Sequence, residues 1–227
     1  MKTILLLHGA IGSSSQLEEL QSLLSADHKV YTLDFSGHGG KPLGAPFSIE
    51  LFSNEVLAFM DEHNIGKPSI FGYSMGGYVA AYIAYKHPEK LSSIVTLATK
   101  FEWNPDIAEK EVKMLDAEKI QAKLRAFAET LAKRHAPTDW KDVLTETIAM
   151  MRRLGADNPL KPGDYTAINI PSLIMLGDRD KMVSLDETLA VYRSLPAAQL
   201  AILPNTAHPI EQADADMIAM HIRKFIS

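Results

Sequence analysis

Short apolar runs alternate along the chain with segments whose apolar positions recur every three to four residues, and this alternation predicts a layered α/β fold. Strands are expected at Thr3 to Leu7, Lys29 to Leu33, Ser69 to Phe71, Ser93 to Leu97, Leu173 to Leu176 and Gln199 to Leu203. Alternation of this kind implies a parallel sheet covered on both faces by helices. The predicted class is therefore α/β, a mostly parallel sheet of about six strands with helices on both faces. The last helix-like segment, Asp214 to Phe225, puts Ile218, Ile222 and Phe225 on one stripe, as packing on a core requires.

Between the fourth and fifth strands lies a long insertion, residues 100–164, too long for a simple connection and helical in pattern. Ala117, Ile120, Leu124, Phe127 and Leu131 repeat at helical spacing, and Trp140, Leu144, Met151 and Leu154 suggest a second helix. Its acidic and basic residues balance, so the net charge of -5 falls on the rest of the chain. Mixed charges of this sort read as a solvated face.

The chemistry concentrates at the ends of the strands. Gly72-Tyr73-Ser74-Met75-Gly76-Gly77 joins the strand Ser69 to Phe71 to a helix-like segment. That is the setting of a nucleophile elbow, where a sharp strand-to-helix turn strains the serine backbone and only small neighbours leave it room. Ser74 is thus a candidate nucleophile, and the Met75 N–H, at the start of the helix, can face a developing oxyanion. After the first strand, His8-Gly9-Ala10 forms a turn. Downstream, Gly177-Asp178-Arg179-Asp180 follows the fifth strand and Ala207-His208-Pro209 follows the sixth. A serine needs a base to take its proton and a third group to orient that base. The order serine, carboxylate, histidine supplies both, with Asp180 or Asp178 as acid and His208 as base. His8 reads as a loop-shaping residue, and His38 lies in a glycine-dense turn. His28, His63, His87, His135 and His221 fall where solvated or capping roles are ordinary.

These motifs together resemble the α/β-hydrolase superfamily, in the form that carries a helical cap, over most of the chain outside the insertion. The resemblance implies a hydrolase core at residues 1–99 and 165–227 and a cap at 100–164. It implies a catalytic triad of Ser74, Asp180 and His208, with Asp178 the near alternative, and an oxyanion hole from the backbone N–H of Met75 and of Ala10 or, in its place, Ile11. The antiparallel strand pair that commonly opens this family is not visible in the sequence. Closing over the strand ends, the cap would form a pocket lined by Met75, Phe101, Trp103, Met150, Met151, Met182 and Ile210.

Composition narrows the reading further. The chain has 227 residues, enough for one sizeable α/β core, and its negative charge argues against a nucleic-acid surface. Without cysteine there are no disulfides, and no histidine or carboxylate pair has the spacing of a metal site, so no cofactor or metal is expected. The apolar run before His8 is too short for a signal-peptide core, and no run approaches a membrane span, so a cytoplasmic protein is expected.

The activity implied is hydrolysis of small carboxylic esters through an acyl-enzyme. Relatives with a carboxylate at the elbow, such as haloalkane dehalogenases and epoxide hydrolases, are excluded by Ser74. Carbon-carbon bond hydrolases and the menaquinone-pathway synthase use the same triad. The Gly37-His38-Gly39-Gly40 turn is similar to that synthase, but Tyr78 stands where the synthase has a carboxylate-binding arginine. A ligand-binding or signalling protein that keeps the triad without turnover is the alternative of another class.

Overall fold

The computed structural model describes residues 1–226. Six strands form one sheet: β1 (Thr3–Leu7), β2 (Lys29–Leu33), β3 (Ser69–Tyr73), β4 (Ser93–Leu97), β5 (Ser172–Gly177) and β6 (Ala198–Leu203), in the order β2-β1-β3-β4-β5-β6 and parallel at every pairing. The strands alternate their side chains between two cores, as a period of two dictates. Leu5, Leu7, Ile70, Ile94 and Ile174 face α2 (Ile49–Glu62) and α3 (Met75–Lys86). Ile4, Leu6, Phe71, Val95, Leu173 and Met175 face α1 (Glu18–Leu24) and α9 (Ala215–Ile226), where Ile218, Ala219, Ile222 and Ile226 are buried and Phe225 packs at the margin.

The insertion contributes α4 (Pro105–Val112), α5 (Ala117–Lys123), α6 (Arg125–His135) and α7 (Trp140–Ala156). Its apolar residues divide between two places. Ile120, Ala128, Leu131, Trp140 and Leu144 make a small cluster of their own, whereas Val143, Met150 and Leu154 on α7 enter the main core beneath α2 and α3. The stripe from Ala117 to Leu131 does not run along one helix. The chain breaks at Leu124 (φ -127, ψ 50), so Leu124 and Phe127 are 56% and 38% exposed, and Ala128 takes the inward position instead. The tail end of α8 (Leu185–Ser194) leads into β6, completing the layer. No helix among the described residues is long and apolar enough to cross a membrane.

Candidate active site

The predicted Ser74, Asp180 and His208 meet at the carboxyl ends of β3, β5 and β6, beside the loop that follows β1. Ser74 caps α3 with φ 52 and ψ -115, left-handed backbone that a side-chain-bearing residue rarely adopts. The turn is held by the Ser74 N–H donating to the Leu97 carbonyl at 2.8 Å and by the Thr99 hydroxyl donating to the Ser74 carbonyl at 3.1 Å. Glycine is required beside it: a Cβ on Gly76 would stand 2.6 Å from the Leu7 carbonyl oxygen and 2.7 Å from that of His8, closer than real Cβ contacts come.

The loops after β5 and β6 are laced together, and this lacing sets the acid against the base. Arg179 N–H donates to the Thr206 carbonyl at 3.0 Å, and the Thr206 N–H donates to Asp178 Oδ1 at 3.2 Å. His208 Nδ1 then donates to Asp180 Oδ2 at 2.8 Å, and the Ser74 hydroxyl lies 3.4 Å from His208 Nε2. Asp180 is the carboxylate brought to His208, while Asp178 serves the turn and lies 3.8 Å from Arg179. Asp180 Oδ1 accepts from the N–H groups of Met182 and Val183 at 2.8 and 2.9 Å. Burial by itself would raise the Asp180 carboxyl. Its hydrogen bond to His208, the charge of that ring and the two backbone donors outweigh burial and hold it below the ordinary carboxylate value. The Tyr73 hydroxyl donates to the His208 carbonyl at 3.0 Å and steadies the ring from behind.

A narrow, mostly apolar cavity opens beside Ser74, and Ala10, Met75 and His208 share its wall. Trp103, Met150, Met151 and Met182 line it, as expected from the sequence. Phe101 and Ile210 do not. Phe101 is buried edge-on against Tyr165 with ring centroids 5.7 Å apart, and Ile210 turns into the core on the opposite face of the sheet. Lys100 and Glu111, read from sequence as part of a solvated mixed-charge face, stand instead on the cavity wall, Glu111 buried and Lys100 half-buried. The signal for Glu111 was its place three residues after Ala108 and next to Val112, the two apolar buried positions of α4.

The loop after β1 is shaped by buried histidines. His8 Nδ1 donates to the Gly9 carbonyl at 2.8 Å and its Nε2 accepts from the Phe35 N–H at 3.2 Å, which fixes one neutral tautomer. Burial pushes its pKa down to about 3. His38 is fully buried and stacks on Phe47, with ring centroids 5.0 Å apart. His135, expected to be solvated, is also buried: Nδ1 accepts from the Gly39 N–H at 3.3 Å and Nε2 donates to the Ile11 carbonyl at 3.0 Å.

Tyr78 lines the cavity, but its hydroxyl is committed to Asn158 and to the Leu160 N–H. The insertion's arginines do not reach the cavity wall. Arg125 pairs with Glu129, Arg152 with Glu109, Arg134 with Glu211, and Arg153 donates to the Phe47 carbonyl at 2.5 Å.

A serine on a strained strand-to-helix turn, with a histidine and a carboxylate delivered from the two following strand ends, is the arrangement of an α/β hydrolase. The model of the alpha/beta hydrolase fold family matches residues 2–147, and the chain belongs to that family. It is a carboxylesterase-like hydrolase. Among curated proteins it is 26% identical over 247 residues to the pimeloyl-[acyl-carrier protein] methyl ester esterase of Neisseria meningitidis, covering 100% of this chain and 94% of that one. Among solved structures it matches the enol-lactonase from Burkholderia xenovorans LB400 with a TM-score of 0.81 at 18% identity, covering 99% of this chain and 91% of that one. It also matches MenH from S. aureus with a TM-score of 0.80 at 18% identity, over 99% and 93% of the two chains. At these identities the two structural matches speak to the fold.

Proposed function

We propose that the chain hydrolyses small carboxylic esters by two-step acyl transfer to water, with Ser74 as nucleophile, His208 as general base and then acid, and Asp180 as the group that orients His208. The observation that carries this reading is the continuous relay from Asp180 through His208 to the Ser74 hydroxyl, beside an apolar cavity. The 3.4 Å between Oγ and Nε2 is a long hydrogen bond that can tighten as the proton is transferred in the transition state.

In the first step His208 Nε2 takes the Ser74 proton as Oγ attacks the ester carbonyl, and Asp180 stabilises the imidazolium that forms. The N–H groups of Met75 and Ala10 receive the oxyanion, each donor lowering the barrier by about 2.7 to 4 kcal/mol. His208 then protonates the departing alkoxide. Water, deprotonated by the same ring, releases the acid in the second step. Helices α4 to α7 act as the cap that closes the acyl cavity, and the substrate is a small molecule met in the cytoplasm. The menaquinone-synthase alternative is disfavoured by the cavity wall, whose one cation among the described residues is Lys100, already engaged with the Met182 carbonyl and Glu187.

The test is steady-state hydrolysis of methyl and p-nitrophenyl esters of graded acyl length by the wild type and Ser74→Ala. A loss of about 10⁵-fold or more in kcat is expected. Retention of kcat within tenfold would remove Ser74 from the chemistry.

A further inference from the structure

The cavity beside Ser74 carries a polar end. Lys100 and Glu111 stand on its wall with side chains 13% and 2% exposed, and Glu187 lies behind Lys100. The three charges are unequally served. Glu187 closes the capping box of α8 with Ser184 and also accepts from the N–H groups of Phe101 and Glu102 at 3.1 and 3.4 Å, so its role is architectural. Lys100 Nζ donates to the Met182 carbonyl at 2.9 Å and to Glu187 at 3.4 Å. It comes no nearer to Glu111 than 3.9 Å, outside hydrogen-bond reach. Glu111 Oε2 is buried and receives no donor from the described residues.

One ammonium therefore faces two carboxylates, and the open acceptor belongs to Glu111. Leaving a buried carboxylate oxygen unpaired is costly, and a wall built only for a hydrocarbon chain would be more stable with an apolar residue there, as at the neighbouring Ala108 and Val112. A ligand that donates a hydrogen bond removes the deficit. An ammonium would offset the surplus negative charge but would sit against Lys100. A hydroxyl can donate to Glu111 while accepting from Lys100, whose ammonium has a third proton to give.

We propose that Glu111 is a specificity-determining residue that binds a hydroxyl on the non-reacting part of the acyl group, so that the preferred substrates are esters of hydroxy acids rather than plain alkanoic esters. This rests on the esterase reading above and adds the substrate class to it.

The test compares kcat/KM for methyl esters of straight-chain acids of about four to eight carbons, each in unsubstituted, terminally hydroxylated and terminally aminated form. The ratio of hydroxylated to unsubstituted ester is taken within each variant, so that loss of folded protein cancels. In the wild type the ratio is expected to reach about ten- to a hundredfold at the best chain length, as befits a hydrogen bond to a buried charge. In Glu111→Leu it is expected to fall to about one or below, and in Glu111→Gln, whose neutral amide oxygen still accepts, to an intermediate value of about two- to tenfold. A wild-type ratio of one or less at every length, an equal ratio in Glu111→Leu, or a preference for the aminated ester would each overturn the assignment. If the wild type hydrolyses unsubstituted esters without preference, the Glu111 assignment alone fails. If it hydrolyses none and Ser74 resists a fluorophosphonate, the esterase reading fails with it.

Discussion

His135, at the end of α6, donates Nε2–H to the carbonyl of Ile11 at 3.0 Å, and so ties the helical insertion to the loop that follows β1. Arg134 Nη1 donates to the same oxygen at 3.1 Å and its Nη2 reaches Glu211, three residues past His208. Ile11 has φ 52, an unfavourable backbone conformation for a β-branched residue, and two donors on its carbonyl hold it there. The neighbouring Ala10 is the proposed second oxyanion donor. The insertion therefore fixes the geometry of the loop that would stabilise the transition state.

Loosening this anchor should affect the transition state more than substrate binding. Arg134→Ala is expected to lower kcat about tenfold, in line with loss of a charge-assisted hydrogen bond of 1.5 to 3 kcal/mol spread over a relaxed loop, with KM changed less than about threefold. Steady-state kinetics on a short ester checks the split. A rise in KM at constant kcat would show that the anchor serves substrate binding instead.

The two carboxylates of the turn after β5 should separate cleanly. Asp180→Asn removes the acceptor that fixes the His208 tautomer and should reduce kcat by about 10³- to 10⁴-fold. Asp178→Asn touches only the Thr206 and Arg179 side of the turn and should stay within about tenfold of wild type. Parallel kcat measurements on the two variants decide it. Equal losses would mean that the acid is not confined to Asp180.

Gly76→Ala should be severely destabilising, because its Cβ meets two backbone carbonyls, of Leu7 and His8, at the end of the paired strand β1, which cannot swing away. A loss of about 3 kcal/mol or more is expected from such overpacking. Urea unfolding followed by circular dichroism reads it directly, and a midpoint within error of wild type would contradict the packing described.

Stability should also fall in mild acid. Burial lowers the pKa of His8 to about 3, and lowers those of His38 and His135 as well, with nearby positive charge adding to it. In the unfolded chain these rings protonate near the ordinary value of about 6.5. As pH falls below that value the unfolded state takes up protons that the folded state refuses, so folding loses free energy. His8 alone accounts for about 2 kcal/mol by pH 5. Urea midpoints between pH 7 and 5 should decline steadily, whereas a flat profile would mean that these rings protonate in place.

Much of this was legible in the sequence because it is local. Strand ends came out within two residues because each strand is a continuous apolar run between turn residues, and the elbow around Ser74 is written in adjacent positions. Asp180 and His208 could be named from their places after β5 and β6, but the choice between Asp178 and Asp180 needed the lacing of Arg179 and Thr206. Long-range placements were lost. Nothing in the sequence around Leu124 marks the break between α5 and α6, since no proline or glycine stands there. Ile210 follows His208 by two residues, yet the single turn Ile210–Gln212 points it to the opposite core. The placements of His135, Lys100 and Glu111 depend on how the insertion docks, which helical periodicity does not encode.

The most direct measurement is intact-mass detection of a fluorophosphonate adduct on the wild type beside Ser74→Ala and His208→Ala. One adduct per wild-type chain, with none on Ser74→Ala and slowed labelling on His208→Ala, is the expected result for an assembled and activated nucleophile. A folded wild type that takes no label, or a Ser74→Ala variant that labels as fast as wild type, would contradict the assignment of Ser74.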